Sequence, residues 1–464
     1  MNITRRSALK LGVGAGVVGA LGLGASQFVD FSPQLSEGRS RARAIETDTI
    51  LPEAVDVVII GGGNLGTSAA YFLARNGLKV ALCEKGAIAG EASGRSVGFV
   101  YSTGLPDDDM VFAGRSKEIW AGINQELGID TGYRQTGLMQ RIDDEAGVEY
   151  WKSWLERFRP ATSNARILSS SEVASLVDGA PKWHAAVYDP TDGGAEPPLV
   201  APAFAEAARR LGAVVIVNCA VRGVETAGGK VSGVVTEMGT IRTSQVVLAG
   251  GSWSSRFLGN MDVKLPLVDA FMWLTTGSSA YRPGVGALFG DLGWRQQIDG
   301  NFTLANSTAG TPLTPSMLRN FVPLLQSLVS TGEGAVPRLG SVFFEELGTA
   351  STWKMDEISP FERRRILEPA LNLDVMRLAY EGVRGASPKF GDLKLGTPWS
   401  GVMSPAVDFR PVVGKLSAVP GLTVATGMLG GLAIGPAVGE AVADLVMNRQ
   451  TRMDLAAYTP DRFA

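Results

Sequence analysis

Apolar residues along the chain fall into short unbroken runs closed by glycine and into stretches spaced for helices. Residues 54–60 (AVDVVII) are mostly β-branched and apolar, the pattern of a strand buried on both faces of a parallel sheet. Residues 65–76 continue with helix-forming, mostly apolar residues and stop at Gly77, which predicts a helix with a glycine just past its end. Residues 79–84 (KVALCE) predict a second strand, and 214–217, 221–226, 231–237 and 243–251 predict further ones. Toward the C-terminus, 421–427 (GLTVATG) reads as strand and turn. Ile434-Gly435-Pro436 then opens an apolar helix to about Met447, with Pro436 where a first helical residue stands. Within 313–347, Met317-Leu318, Phe321-Val322, Leu324-Leu325 and Leu328-Val329 recur at helical spacing, and Val342-Phe343-Phe344 reads as a short strand.

The opening residues read as an address. Thr4-Arg5-Arg6 and Leu9-Lys10 precede residues 11–25, which carry no charge, and the whole resembles a twin-arginine export signal. That apolar run, rich in Gly and Ala, is shorter than the ~20 residues that span a bilayer, so a cleaved peptide and a retained anchor both stay open. Ala42-Arg43-Ala44 offers a cleavage site and bounds a leader of residues 1–44. The expected location is the periplasm or the outward face of the cytoplasmic membrane.

Composition narrows the chemistry. A length of 464 residues suits two domains, and 43 basic against 46 acidic residues argue against a nucleic-acid binder. With 45% hydrophobic and 19% charged residues the chain is not disordered. Two cysteines and one histidine cannot build a Cys/His zinc site, a two-histidine iron site or a disulfide framework, so no metal is expected. The 58 glycines are the excess that needs a cause, since glycine is favoured where backbone turns sharply or approaches a ligand.

The strongest cause is Gly61-Gly62-Gly63-Asn64-Leu65-Gly66, directly after the first strand. Gly61 permits the tight turn, Gly63 lets a pyrophosphate approach the backbone, and Gly66 lets helix and strand pack closely. The helix N-terminus holds the negative charge, and Glu84, 23 residues after Gly61, is placed for a ribose hydroxyl. Strand, loop, helix, strand and acid in this order predict a dinucleotide site.

The tract from Gly90 to Phe99 (GEASGRSVGF) suits an extended polar chain and a pyrophosphate, and at this point the sequence resembles the glycine oxidase, sarcosine oxidase and D-amino-acid oxidase superfamily of FAD enzymes. Asp192-Gly193-Gly194, Pro197, Ala203-Phe204 and residues 207–213 carry the resemblance onward, over most of 50–450. It implies an α/β chain of two domains: a discontinuous Rossmann-like FAD-binding domain (50–105, 165–262, 396–450) and an inserted antiparallel-sheet substrate domain (106–164, 263–395). It implies FAD contacts at Gly61, Gly63, Asn64, Leu65, Gly66, Glu84, Lys85, Ala92, Ser93, Gly94, Arg95, Val221, Gly250, Gly251, Gly427, Gly430, Gly431 and Leu432. It also points the helix from Ile434 at the pyrimidine end of the flavin, where its dipole favours reduction by about 1 to 2 kcal/mol. Met428-Leu429 stands where some members carry a flavin-linking cysteine, so non-covalent FAD is expected.

Gly128-Ile129-Asp130-Thr131 with Tyr133-Arg134 and Gly137, residues 218–251, Ser359-Pro360-Phe361-Glu362, and Trp399-Ser400-Gly401 with Met403 resemble the membrane-associated bacterial L-amino-acid deaminases. Ser359 to Glu362 is also a capping box by local helix physics. The likeness implies hydride transfer from a nitrogen-bearing carbon to flavin N5, hydrolysis of the imine, and electrons passing to a membrane quinone or cytochrome. Residues 313–347 would then be a membrane-associated insertion, the alternative being substrate-domain core. Pocket-wall candidates by family position are Val97, Phe99, Trp273, Ser307, Trp399, Met403 and Met428.

One departure bears on the substrate. Such enzymes pair the substrate carboxylate with an arginine, yet residues 299–312 contain no basic residue, with Ser307 at the critical place. Residues 401–405 likewise lack the Gly-x-Arg-Pro arrangement of other members. Arg141 and Arg295 are the candidate substitutes, and an amine without a free α-carboxylate is the other solution. A secondary amine such as an N-substituted glycine, a D-amino acid, and a flavoprotein electron-transfer subunit without a substrate stay as alternatives. His184 is read as structural or surface, Cys83 and Cys219 as buried free thiols, and Asp107-Asp108-Asp109 as a solvated helix start or an attractor for a cationic substrate.

Overall fold

The computed structural model describes residues 29–30, 36–37, 41–177, 183–290, 292–306, 312–324 and 339–464. One lobe is built on a six-stranded sheet in the order Val214–Ile216, Val80–Cys83, Val57–Ile60, Val246–Leu248, Leu422–Thr426, Val412–Lys415. The first five strands are parallel, and the last runs antiparallel to its neighbour. Val57–Ile60 is buried at every position, as its β-branched run requires. Val57 and Ile59 face a layer of three helices, Asn64–Arg75, Pro197–Arg210 and Gly435–Val446. Val58 and Ile60 face a three-stranded antiparallel sheet, Val221–Ala227, Lys230–Thr236 and Gly239–Arg242, which contributes Val224, Val231, Val234 and Ile241.

The second lobe is an eight-stranded sheet in the order Lys394–Met403, Ala270–Ser278, Phe302–Asn306, Leu292–Gln296, Gly286–Phe289, Leu138–Ile142, Ala185–Asp189, Arg166–Ser169. Its pairs are antiparallel except Gly286–Phe289 with Leu138–Ile142. The helix Leu373–Ala386 packs on one face, with Val383 and Ala386 against Trp294, Phe302 and Leu304.

The sheets divide the chain elsewhere than the sequence boundaries. Arg166–Ser169, Ala185–Asp189 and Lys394–Met403 belong to the eight-stranded sheet, whereas the resemblance implies that 165–262 and 396–450 lie wholly in the cofactor domain. Short strands carry no local mark of which sheet they join; the pairing partner decides it. Within 313–347, Ser341–Gly348 is a helix where a strand was predicted at 342–344, and the strand is Leu339–Gly340. Glu345 and Glu346 extend that apolar triplet with good helix formers. The capping box at Ser359 is present, and Glu362 also takes two bonds from Arg222, 2.9 and 2.7 Å.

The segment from Arg41 onward is part of this fold. Arg43 donates its backbone N–H to Pro198 O at 2.9 Å and pairs with Glu206, while Ala42 and Ile45 pack on the helical layer. Asp48 accepts from Arg209 and from the Val215 amide at 2.8 Å. The twin-arginine pair and its apolar run lie outside the described residues.

Candidate active site

Three loops converge at the C-terminal ends of adjacent parallel strands, where open α/β sheets bind ligands. Gly61 follows Val57–Ile60, Gly250 follows Val246–Leu248, and Gly427 follows Leu422–Thr426. Gly61 has φ +112°, and a Cβ there would lie 2.4 Å from Ala249 O. A Cβ on Gly66 would lie 2.0 Å from Gly61 O, so helix and strand meet there without space for a side chain. Gly63 caps the helix Asn64–Arg75 with no side-chain cap and no acidic residue in the first turn. An uncapped, acid-free N-terminus of twelve residues' dipole suits a pyrophosphate. The neighbouring Asn64 donates its backbone N–H to Ser93 Oγ at 2.9 Å, and its buried Oδ1 has no partner among the described residues. Glu84 holds the Gly62 and Gly86 amides at 2.7 Å each, and withdrawal from solvent raises its carboxyl above the ordinary range despite Lys85 and those amides. Val221 opens its strand beside this edge, opposite Thr236.

The second cradle lies at the other strand ends. Gly251 and Gly427 adopt positive φ, +54° and +75°, and Thr426 Oγ1 donates to Gly251 O at 3.2 Å. Gly430 donates its N–H to Asp109 at 3.1 Å, Gly431 lies near Met428, and Met428 and Leu432 are buried. Gly435–Val446 starts beside Asn64: Ser68 Oγ donates to Gly435 O at 3.2 Å, bringing the two helix N-termini together. The cradle of glycines, two acid-free helix starts and an orphaned amide oxygen fit a dinucleotide.

The side chains of Lys85 and Arg95 are held within the protein. The Lys85 ammonium is held by Glu91 and the Arg364 and Arg365 carbonyls, at 2.7, 3.2 and 2.7 Å. Arg95 donates to Gly90 O, Ser400 O and Glu368, so it fastens the Ala92–Arg95 helix to the strand Lys394–Met403. Ser93 faces Gly63, and Gly94 leaves no room for a Cβ against Ala89 O, 2.2 Å.

The tract from Arg95 to Phe99 meets one face of the eight-stranded sheet. Trp399 donates Nε1–H to Arg95 O at 2.8 Å and packs with Leu274, Ala305 and Val97. Phe99 pairs with Gly194 and packs edge-on to Tyr101. Met403 ends the Trp399 strand opposite Ala270. Trp273 lies on the face opposite Leu274 and Trp399, beside Phe271, Val375 and Met376, where it lines a hollow with Val342, Pro369 and Ala370 and donates to Ala370 O at 2.9 Å. Ser307 lies outside the described residues.

Neither substitute arginine serves this face freely. Arg295 is buried, bonds Val97 O at 2.7 Å and forks onto Glu196 at 2.8 and 3.1 Å. Arg141 pairs with Asp143. His184 is at the surface, 3.3 Å from Glu145, and both cysteines are buried free thiols.

Asp109 is the residue that sequence reading missed. Asp107 and Asp108 pair with Arg157 and Arg410 at the surface, but Asp109 is buried, and only its Oδ2 has a partner among the described residues. Burial pushes its carboxyl up to about 7, against the pull of the Gly430 amide. Nearby, Asp192 accepts from the Ser102 and Thr103 amides beside Lys117, and burial pushes it up to about 6. A run of three acids gives no sign of which one turns inward.

Residues 56–445 match the DAO family of FAD dependent oxidoreductases. The chain belongs to that family. FAD is therefore the dinucleotide of the glycine cradle. The solved structure of the L-amino acid deaminase from Proteus myxofaciens, in complex with anthranilate, is 32% identical with a TM-score of 0.89, covering 94% of this chain and 100% of that one. The sarcosine oxidase subunit beta of an Arthrobacter species is 32% identical over 46% of this chain and 55% of its own length. The glycine oxidase of Geobacillus kaustophilus is 26% identical over 88% of this chain and 97% of its own. This chain thus spans about half the length of the sarcosine oxidase subunit.

Proposed function

We propose that the protein oxidises an amino acid or amine at the carbon bearing nitrogen, in the manner of an L-amino-acid deaminase, and passes the electrons to a carrier in the membrane. The observation that carries this reading is the likeness to the Proteus deaminase along nearly the whole chain. Bound FAD, held by the Gly61–Gly66 loop and the Gly427–Leu432 cradle, would supply the electron sink for oxidation of the nitrogen-bearing carbon to an imine, which water would hydrolyse to a carbonyl compound and ammonia. The protein's part is to hold and exclude. Gly61 to Gly66 and Ser93 line the phosphate cradle without a covalent link, and Val97, Leu274, Ala305 and Trp399 form an apolar wall that keeps water from the reacting carbon. The one histidine stands at the surface, and an amine that binds in its neutral form needs no histidine base.

The membrane part of the reading rests on an exposed apolar patch. Leu318, Phe321, Val322, Phe344 and Leu347 are all exposed, on two segments joined by Arg319 and Glu346 at 2.7 Å. Such a patch suits a lipid surface, and the export leader expected at the N-terminus would deliver the folded holoenzyme to the outward face. No helix among the described residues is long and apolar enough to cross a membrane. A second reading, oxidation of a secondary amine, is supported by the sarcosine oxidase likeness.

Anaerobic titration of the holoenzyme with L-amino acids, D-amino acids, N-substituted glycines and amines tests the chemistry. Bleaching of the flavin by L-amino acids is expected; bleaching by none of the panel would sink the enzyme reading in favour of an electron-transfer subunit. Replacing Phe321, Val322, Phe344 and Leu347 by serine is expected to keep turnover with a soluble dye and to lose turnover with membranes.

A further inference from the structure

Arg41 stands just inside the fold, on a backbone pinned by Arg43, Ala42 and Ile45. Its guanidinium lies 4.1 Å from the centre of the Trp399 ring. Trp399 is itself fixed by its bond to Arg95 O and by Leu274, Ala305 and Val97, on the sheet face that meets the tract from Arg95 to Phe99. A guanidinium stacked on a ring keeps its N–H edges in its own plane, as a fork that fits a carboxylate with two parallel bonds.

The neighbouring cations are spent. Arg95 is taken by Gly90 O, Ser400 O and Glu368, and Arg295 by Glu196 and Val97 O. Arg41 has no hydrogen-bond or ion-pair partner among the described residues, and the Glu368 carboxylate near it is already bonded by Arg95 at 3.0 Å. Half-buried beside a second arginine, Arg41 is a cation short of an anion. We infer that Arg41, from the segment preceding the nucleotide fold, pairs with the α-carboxylate of the substrate and makes this site selective for amino acids over amines. The inference rests on the proposed amino-acid oxidation and supplies the cation absent from residues 299–312. It also means that cleavage at Ala42-Arg43-Ala44 would remove the selecting residue.

The test uses full-length holoenzyme and the variants Arg41→Gln and Arg41→Lys. Rapid-mixing reduction is measured with an L-amino acid and with its carboxamide, and benzoate binding is followed by perturbation of the flavin spectrum. Arg41→Gln is expected to lower the acid-over-amide preference about 10- to 100-fold and to weaken benzoate by a similar factor, the range for loss of a charged hydrogen-bonded pair. Arg41→Lys should recover part of both, and FAD content and melting temperature should stay at the parental values. Unchanged preference and benzoate affinity in Arg41→Gln would overturn the inference, as would equal losses for acid and amide. If the parent is reduced by no amino acid, the functional reading falls, and the benzoate titration still judges Arg41. A parent that neither binds benzoate nor is reduced overturns both.

Discussion

Asp109 places one carboxylate oxygen on the Gly430 amide and buries the other without a partner among the described residues. Its carboxyl ordinarily titrates near 3.8 and is held up to about 7 by burial. The folded protein therefore keeps a proton that the unfolded chain releases above about pH 4. Stability from this group is full below the unfolded value and is lost as pH rises through 7. Asp109→Asn keeps an acceptor for Gly430 and cannot titrate. Its free energy of unfolding should fall less steeply between pH 4 and 7, by up to about 1.4 kcal/mol per pH unit, as read from urea titrations across that range. An unchanged slope would show that Asp109 is ionised in the fold. Other single residues were legible beforehand. Gly61 and Gly66 announce themselves by their spacing, because no side chain fits where the loop folds back on its strand. Asp109 was not legible, because its neighbours in sequence are surface acids and its partner lies 321 residues away.

At the scale of elements, the helices Asn64–Arg75 and Gly435–Val446 touch through glycine. A Cβ on Gly439 would lie 2.3 Å from Ser68 Oγ and 2.8 Å from the Ala69 backbone nitrogen. Ser68 can rotate, but the backbone of Ala69 cannot yield without separating the helices. Gly439→Val should cost about 1 to 3 kcal/mol and speed FAD loss, because both helix starts border the cofactor cradle. A melting curve and a flavin-fluorescence release assay check the two effects, and an unchanged release rate would mean that the helix ends move independently of the cradle. Both helices were expected from apolar spacing and terminal glycine. Val342-Phe343-Phe344 reads as a strand but lies in the helix Ser341–Gly348, since three apolar residues in a row carry no period and the exposed faces of Phe344 and Leu347 obey no core.

Across the whole molecule, Arg295 ties the lobes together. It leaves the eight-stranded sheet from Leu292–Gln296 and forks onto Glu196, which precedes a helix of the cofactor lobe. Both side chains are largely buried, 5% and 12% exposed. Arg295→Met would strand the Glu196 charge, and breaking one side of a buried pair costs about 3 to 5 kcal/mol. Denaturant unfolding should show that loss with and without bound FAD. A raised KM with unaltered stability would instead return Arg295 to the substrate. Its place as a candidate came from its position in sequence; that it serves as a strut emerges only when Glu196 and Val97 are brought beside it.

What the sequence by itself determined is the local machinery: a buried strand, a glycine loop, an uncapped helix and a following acid, each readable because backbone sterics and periodicity act over a few residues. The family resemblance added FAD, which the match over residues 56–445 bears out. The tertiary structure alone decided which strands joined which sheet, which face Trp273 took, which of three adjacent acids was buried, and that Arg41 belongs to the folded domain and stacks on Trp399. Those outcomes depend on partners far apart along the chain, and contact between distant segments leaves no periodic trace in either of them.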